Sequence, residues 1–184
     1  NGSTSAATQM LKAKVSKTGY ENTDKSSEDL QNAIDKLAGK KSTVFKDARE
    51  SKDTSKVTAA AQELIDKYNS LVEVMSKTSS SLDEFYKKAL KGLPESIKES
   101  LEKVGITYNS DGTLEVDSDK LKKADVDSLE KIFGSDSEFM KKLSFVTDRI
   151  ESNAEANLQS VSSTYSSTAD IMSSFNSSKY DFLG

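Results

Sequence analysis

The sequence contains no cysteine, no histidine and no tryptophan, and its one proline is Pro94. Without cysteine there is no disulfide, so order must come from packing and backbone hydrogen bonding. Without histidine or cysteine, nucleophile relays built on an imidazole or a thiol cannot be assembled, and neither can a zinc site with the usual nitrogen and sulfur ligands. The scarcity of proline removes the commonest helix breaker. No stretch approaches the roughly 20 consecutive apolar residues of a membrane span. Arginine occurs twice, as Arg49 and Arg149, in a chain of net charge −4, which argues against a nucleic-acid surface. Apolar residues make up 34% of the chain, low for a compact globule but ordinary where each helix buries a single stripe. The first residue is Asn rather than Met, so the sequence is expected to start inside a longer product or after processing, and no signal peptide is visible in it.

What the chain has in plenty is serine, 31 of 184 residues, many as pairs between regularly spaced apolar positions. Residues 1–24 read as a disordered or loosely helical tail, in which Met10, Leu11 and Val15 offer a short helix up to Gly19. Ser26-x-x-Asp29 supplies a cap before the stripe Leu30, Ala33, Ile34 and Leu37, which ends at Gly39. Lys40 to Ser55, with Val44, Phe45 and Ala48, reads as a second short helix or a connection. From Val57 the pattern is strict: Val57, Ala61, Leu64, Tyr68, Leu71, Met75, Thr78, Leu82, Phe85 and Ala89 recur at steps of four and three. This predicts a long helix over 57–91, with a capping box at Ser81-x-x-Glu84 where it could break. Gly92, Leu93 and Pro94 end it, Pro94 opening a short helix.

Residues 94–134 form a small insert. Ile106-Thr107-Tyr108 and Thr113-Leu114-Glu115-Val116 are β-favouring and flank Asn109-Ser110-Asp111-Gly112, predicting a hairpin over 106–116. Asp117 can cap a helix with Leu121 and Ala124 inward, and Val126 to Phe133 makes another that ends at Gly134. Ser135-x-x-Glu138 opens a second long helix, 135–177, whose seam reads Phe139, Leu143, Val146, Ile150, Ala154, Leu158, Val161, Tyr165, Thr168, Met172 and Phe175, with a stutter between Ile150 and Leu158. The expected fold is mainly α: an elongated antiparallel helical hairpin or coiled-coil bundle over 25–184, carrying a small inserted β-hairpin and short helices. The seams are candidate docking surfaces, at Val57, Leu64, Tyr68, Leu71, Met75, Phe139, Leu143, Val146, Ile150, Leu158, Val161 and Tyr165. Spacing alone does not say whether they are covered within the chain or by other chains.

Three patterns that could carry chemistry do not. Ser100-x-x-Lys103, Ser128-x-x-Lys131 and Lys17-Thr18-Gly19 echo the boxes of acyl-transferring penicillin-binding enzymes, but in reversed order and without a Ser-Asp-Asn. Gly112 could sit at the sixth position of a calcium loop, but Thr107 and Ser118 then stand where an Asp and a bidentate Glu are needed. Asp117, Asp119, Asp125 and Asp127 lie beside Lys120, Lys122 and Lys123, the arrangement of caps and exposed charge. The residues assemble no catalytic, cofactor-binding or metal-binding constellation.

The stretch from Gly105 is more specific. Gly105-Ile106-Thr107, then Asp111-Gly112-Thr113-Leu114, then Asp117 and Lys120-Leu121, resembles the signature in the C-terminal region of flagellar filament cap proteins (hook-associated protein 2, FliD). Ala124-Asp125-Val126 through Phe133-Gly134 is similar to the segment that follows it in that family, and Tyr68-Asn69-Ser70-Leu71 is similar to a Tyr-Asn pair in the helix that precedes it. The resemblance covers about Val57 to Leu158. It implies a non-enzymatic, extracellular structural protein of the bacterial flagellum, exported through the flagellar apparatus, with no cofactor. It further implies that helical legs contact flagellin and neighbouring subunits of an oligomer, and that an export chaperone binds near the C-terminal end. The alternative is a helical binding module such as an export chaperone itself or a surface adhesin stalk.

Overall fold

The computed structural model describes residues 5–181, with side chains described through Ser163 and again at Asp170 and Ile171. The described chain runs α1 (Ala6–Ala38), α2 (Val44–Ser51), α3 (Ser55–Met75), α4 (Ser81–Ser96), α5 (Lys98–Lys103), β1 (Ile106–Tyr108), β2 (Leu114–Val116), α6 (Ser118–Lys123), α7 (Val126–Phe133) and α8 (Glu138–Asp181). The mainly α architecture with a small antiparallel hairpin is the expected one. In that hairpin Ile106 pairs with Val116 and Tyr108 with Leu114.

The helix boundaries differ from the expectation in four places. Residues 5–24 are not a separate tail: α1 is one helix of 33 residues that passes through Gly19 and through the Ser26-x-x-Asp29 pattern. It is capped at Ser5, whose hydroxyl accepts from the Thr8 amide (3.2 Å). Thr23 and Ser27, both buried, return their hydroxyls to the carbonyls of Gly19 (3.0 Å) and Thr23 (2.8 Å), so these polar side chains are satisfied inside the helix. The helix expected over 57–91 is two helices. The break falls at residues 76–80, and the capping box is Ser80 with Asp83, one residue before the expected pair.

Pro94 does not start a helix; it lies in the last turn of α4, where its missing N–H costs only one terminal bond. The second long helix is capped by Ser137 rather than Ser135: the Ser137 hydroxyl accepts from the Met140 amide (3.2 Å) and donates to the Ile132 carbonyl (2.6 Å), which joins α8 to the end of α7.

The packing partner of α8 also differs from the expectation. Instead of folding chiefly onto α3, α8 packs along α1, and α1 packs in turn on α3. Gln31 Nε2 donates to the Ser144 carbonyl (2.8 Å) across α1 and α8, and Lys36 pairs with Glu63 (2.8 Å) across α1 and α3. Asn153 Nδ2 donates to Asp83 Oδ1 (3.1 Å) across α8 and α4. Asp24 lies beside Glu151 across α1 and α8, Asn22 and Asp29 beside Ser70 and Val74 across α1 and α3, and Ile97 beside Phe139 at the ends of α4 and α8. With the short turn at 76–80 joining α3 to α4, each neighbouring pair is antiparallel, so α1, α3, α4 and α8 form an up-down-up-down four-helix bundle. Its core is built on Leu30, Leu37, Leu64, Ile65, Tyr68, Leu71, Met75, Leu90 and Leu143, each at most 2% exposed. Burial of one such side chain is worth about 1.5–3 kcal/mol.

The four helices differ in length, and this shapes the molecule. α3 and α4 turn back at residues 76–80, while α1 reaches Ala6 and α8 reaches Asp181. Where the shorter pair turns, Asp83 is 2% exposed and accepts from Tyr20 Oη of α1 (3.3 Å), the Ser80 amide (3.1 Å) and Asn153 of α8. Beyond this knot α1 and α8 continue as a two-helix arm. The opposite end is closed by α2, α5–α7 and the hairpin. There Arg49 bridges α2 to α7 through Asp127 (2.7 Å) and Glu130 (3.0 Å), and these hydrogen bonds push its pKa further up.

Candidate functional site: the clamped hairpin and the projecting arm

The hairpin holds most of the sequence signature, and the signature residues serve its geometry. Gly105 has φ +91° and its carbonyl accepts from the Asp117 amide (2.8 Å), closing the base of the hairpin. A Cβ at Gly105 would come within 2.9 Å of Lys120 Cβ and 3.0 Å of the Asp117 carbonyl, so the start of α6 packs directly on its backbone. Ile106 is fully buried, whereas Thr107 points to solvent opposite Glu115. At the tip, Asp111 Oδ1 accepts from the Thr113 amide (2.9 Å) and the Thr113 hydroxyl (2.5 Å). These two bonds, the hydroxyl first, hold the Asp111 carboxyl below the usual range. Gly112 supplies φ +87° at the turn. Asp117 caps α6 by accepting from the Lys120 amide (3.1 Å), and Leu121 is fully buried.

Two residues of α3 clamp this turn. Tyr68 Oη donates to the Gly112 carbonyl (2.7 Å), and burial pushes the phenol's pKa far up. The Asn69 amide makes a matched pair with the β2 backbone: its Nδ2 donates to the Leu114 carbonyl (2.8 Å) and its Oδ1 accepts from the Leu114 amide (2.8 Å). Asn69 thus stands in for a third strand at the β2 edge. It is absent from the seam because its position is not apolar; the adjacent Tyr68-Asn69 pair was the only sequence signal for it.

The seam residues are placed mostly inside the chain. Val57, Leu64, Tyr68, Leu71, Met75, Leu143 and Ile150 are at most 1% exposed and Phe139 is 7% exposed, all contributing to one continuous core. That core uses them within the chain, so they are not open to another chain while the bundle is folded. Val146 is half-buried against the core, and Leu158 and Val161 are half-buried along α8. Tyr165, with Thr168, Met172 and Phe175, lies outside the described side chains.

Among the described residues, the large apolar side chains that face solvent lie elsewhere: Leu11, Val15 and Ile171 on the arm, Leu82 and Phe85 on α4, and Phe145 on α8. Of the serine–lysine patterns, Ser128 Oγ donates to Asp125 Oδ2 (2.9 Å) as part of the α7 cap. Between α1 and α8, Asp24, Glu151 and Glu155 bring carboxylate oxygens within 4.8 Å of one another. Burial, followed by the charges of Asp24, Glu155, Glu28 and Asp148, pushes the Glu151 carboxyl up. None of these acids has an ion-pair partner among the described residues, and one Asp24 oxygen is buried without a hydrogen bond. No described helix is long and apolar enough to cross a membrane.

A rigid bundle, a hairpin locked to it by side-chain-to-backbone bonds, and a pair of helices projecting past it define a structural protein that presents helices. The family model for the flagellar hook-associated protein 2 C-terminus matches residues 91–182, half of the chain. The chain belongs to that family, the hook-associated filament-cap proteins of the bacterial flagellum. The match starts later than the Tyr68-Asn69 pair and extends past Leu158, to include the serine-rich end of α8. No curated protein and no solved structure matches the chain significantly.

Proposed function

We propose that this chain is the helical stem of an extracellular, non-enzymatic cap-type protein at the flagellum, and that its α1–α8 arm docks on flagellin or on neighbouring copies. The observation that carries this reading is the uncovered flank of the arm. Leu11 and Val15 fall on the same flank of α1 as Asn22 and Asp29, and Asn22 and Asp29 line the cleft against Ser70 and Val74 of α3. Inside the bundle that flank borders α3 at its rim, with Asp29 half-buried and Asn22 exposed; past residues 76–80 there is no α3 beside it. Leu11 and Val15 are accordingly 63% and 66% exposed, and Ile171 of α8 is 64% exposed. Helices with an apolar stripe and no partner gain by packing on other helices, the assembly mode of coiled coils.

Co-sedimentation of the chain with monomeric flagellin tests this. Leu11→Asp with Val15→Asp is expected to weaken binding by about tenfold or more while circular dichroism and Tm of the bundle hold. Undiminished binding by the double variant overturns the arm as the docking element. Failure of the wild-type chain to bind either flagellin or itself overturns the whole reading.

A further inference from the structure

A second exposed apolar surface lies on the side of the bundle, away from the arm. Leu82, Phe85, Tyr86, Ala89 and Leu93 recur along one flank of α4. This is not the flank turned to the hairpin, because Glu84, Lys88, Lys91 and Glu95 line the cleft beside Tyr108. The register of α4 against α8 is fixed by the Asp83–Asn153 hydrogen bond and by Ile97 and Phe139, which line one cleft. It sets Phe85 level with Glu151 and Leu93 level with Leu143. On α8, Lys142, Phe145, Val146 and Arg149 continue the flank that carries Asn153.

Leu82, Phe85 and Phe145 are 48%, 65% and 60% exposed, while Tyr86, Leu93 and Val146 are half-buried between them and the core. Each aromatic side chain has a ring contact: Phe85 meets Tyr86 edge-on at 5.5 Å, and the Arg149 guanidinium lies 5.1 Å from the Phe145 ring centroid. Exposed aromatics with an adjacent cation are the kind of anchor that dominates interface energy. The charge on this flank is positive although the chain as a whole is acidic. Lys142 and Arg149 have no ion-pair partner among the described residues; of the acids within a turn of Lys142 and Phe145, Glu138 lies 3.9 Å from Lys141 and Asp148 adjoins Arg149.

We propose that this α4–α8 face docks an amphipathic helix of another protein, its apolar stripe on Leu82, Phe85 and Phe145 and its flanking carboxylates on Lys142 and Arg149. Among the described residues, the exposed apolar positions on the arm of a second copy are not flanked by carboxylates on both sides. Its exposed Leu11 and Val15 sit among Lys12, Lys14 and Lys17, which would bring like charges together. Its Ile171 lies in residues 156–178, a stretch whose one charged residue is Asp170.

The test uses the full chain and two fluorescent helical peptides of about 20 residues. The two share one leucine stripe and differ in having glutamate or lysine along its flanks. The glutamate peptide is expected to bind about tenfold tighter at physiological salt. Phe85→Ser with Phe145→Ser should weaken it by about tenfold, and Lys142→Glu with Arg149→Glu should reverse the preference between peptides. All four positions are exposed, so Tm should stay constant in the variants. Equal affinity for the two peptides, binding by neither, or indifference to the variants overturns the proposal. So does sedimentation showing that the wild-type chain self-associates through Phe85 and Phe145.

Discussion

Replacing Asn69 by Ala tests whether the hairpin is held by α3 or stands alone. The substitution removes both bonds between the Asn69 amide and the Leu114 backbone, each 2.8 Å long. A hydrogen bond of this kind contributes about 1 kcal/mol net, and each polar group left without a partner in a buried setting costs about 1–3 kcal/mol. Leu114 is 4% exposed, so water reaches its amide and carbonyl poorly. The alanine cavity is half-open to solvent and recovers part of this, which gives an expected destabilisation of about 2–3 kcal/mol. For a chain of this size that corresponds to a fall in Tm of about 5–10 °C.

Asn69→Asp is the sharper comparison. It keeps the acceptor for the Leu114 amide but sets a carboxylate oxygen against the Leu114 carbonyl, so it should recover little of the loss at pH 7. Thermal unfolding followed by circular dichroism gives the energy, and amide hydrogen exchange at Leu114 gives the place. A Leu114 amide as protected in Asn69→Ala as in the wild type, with Tm unchanged, would show that the two-stranded hairpin does not depend on the clamp.

Other expectations follow from the same geometry. Gly105→Ala should cost about 2–4 kcal/mol, because a positive φ is combined with close contacts to α6 backbone, whereas Gly112→Ala should cost only the backbone part, about 1–2 kcal/mol. The atoms nearest a Cβ at Gly112 belong to the movable side chain of Lys91, so denaturant titration should rank the two variants in that order. Asp83→Ala should destabilise the chain and deprotect the amides of α4's first turn in hydrogen exchange, because Tyr20, the Ser80 amide and Asn153 all lose their acceptor.

Glu151→Gln should raise Tm at pH 7 and leave it unchanged near pH 4. The folded chain holds this carboxyl above the ordinary value of 4.5, so its ionised form lowers stability at neutral pH, and that cost disappears as pH falls toward 4.5. Asp53, Asp111 and Asp125 are shifted the opposite way by hydrogen bonds from Ser55, Thr113 and Ser128. The stability they add is present above 3.8 and is lost below it, outside the interval of that comparison.

The elements of the insert were legible in the sequence because each is signalled locally. Asn109 to Gly112 marks the turn, Asp117 and Asp125 mark the caps of α6 and α7, and Gly134 ends α7. The apolar steps from Val57 to Met75 and from Phe139 to Ile150 likewise found the buried side of α3 and α8. What spacing could not find was pairing. Thr23, Ser27 and Thr147 are buried where α1, α8 and their neighbours meet, yet as polar residues they contribute nothing to an apolar pattern, and without them the first half of α1 reads as a tail.

The break at residues 76–80 was signalled only by the serine-acid capping pattern beside it, because Thr78 is buried and keeps the seam's spacing while the backbone leaves the helix. The clamp was only half visible, since Asn69 acts through backbone groups 45 residues away. The seam residues from Val57 to Met75 and at Phe139, Leu143 and Ile150 face the core of the chain itself, whereas Leu11 and Val15 are exposed beyond the end of α3 and Leu82, Phe85 and Phe145 on the outer side of α4 and α8.

The central claim is that the uncovered flank of the α1–α8 arm makes the contacts on which filament growth depends. Its most direct test is a replacement of the native gene by one carrying Leu11→Asp and Val15→Asp in the bacterium that encodes this chain, with filaments counted by electron microscopy and free flagellin measured in the medium. The arm reading predicts few or short filaments and abundant unassembled flagellin, with the variant protein folded and exported. Filaments of normal number and length in that strain would contradict it.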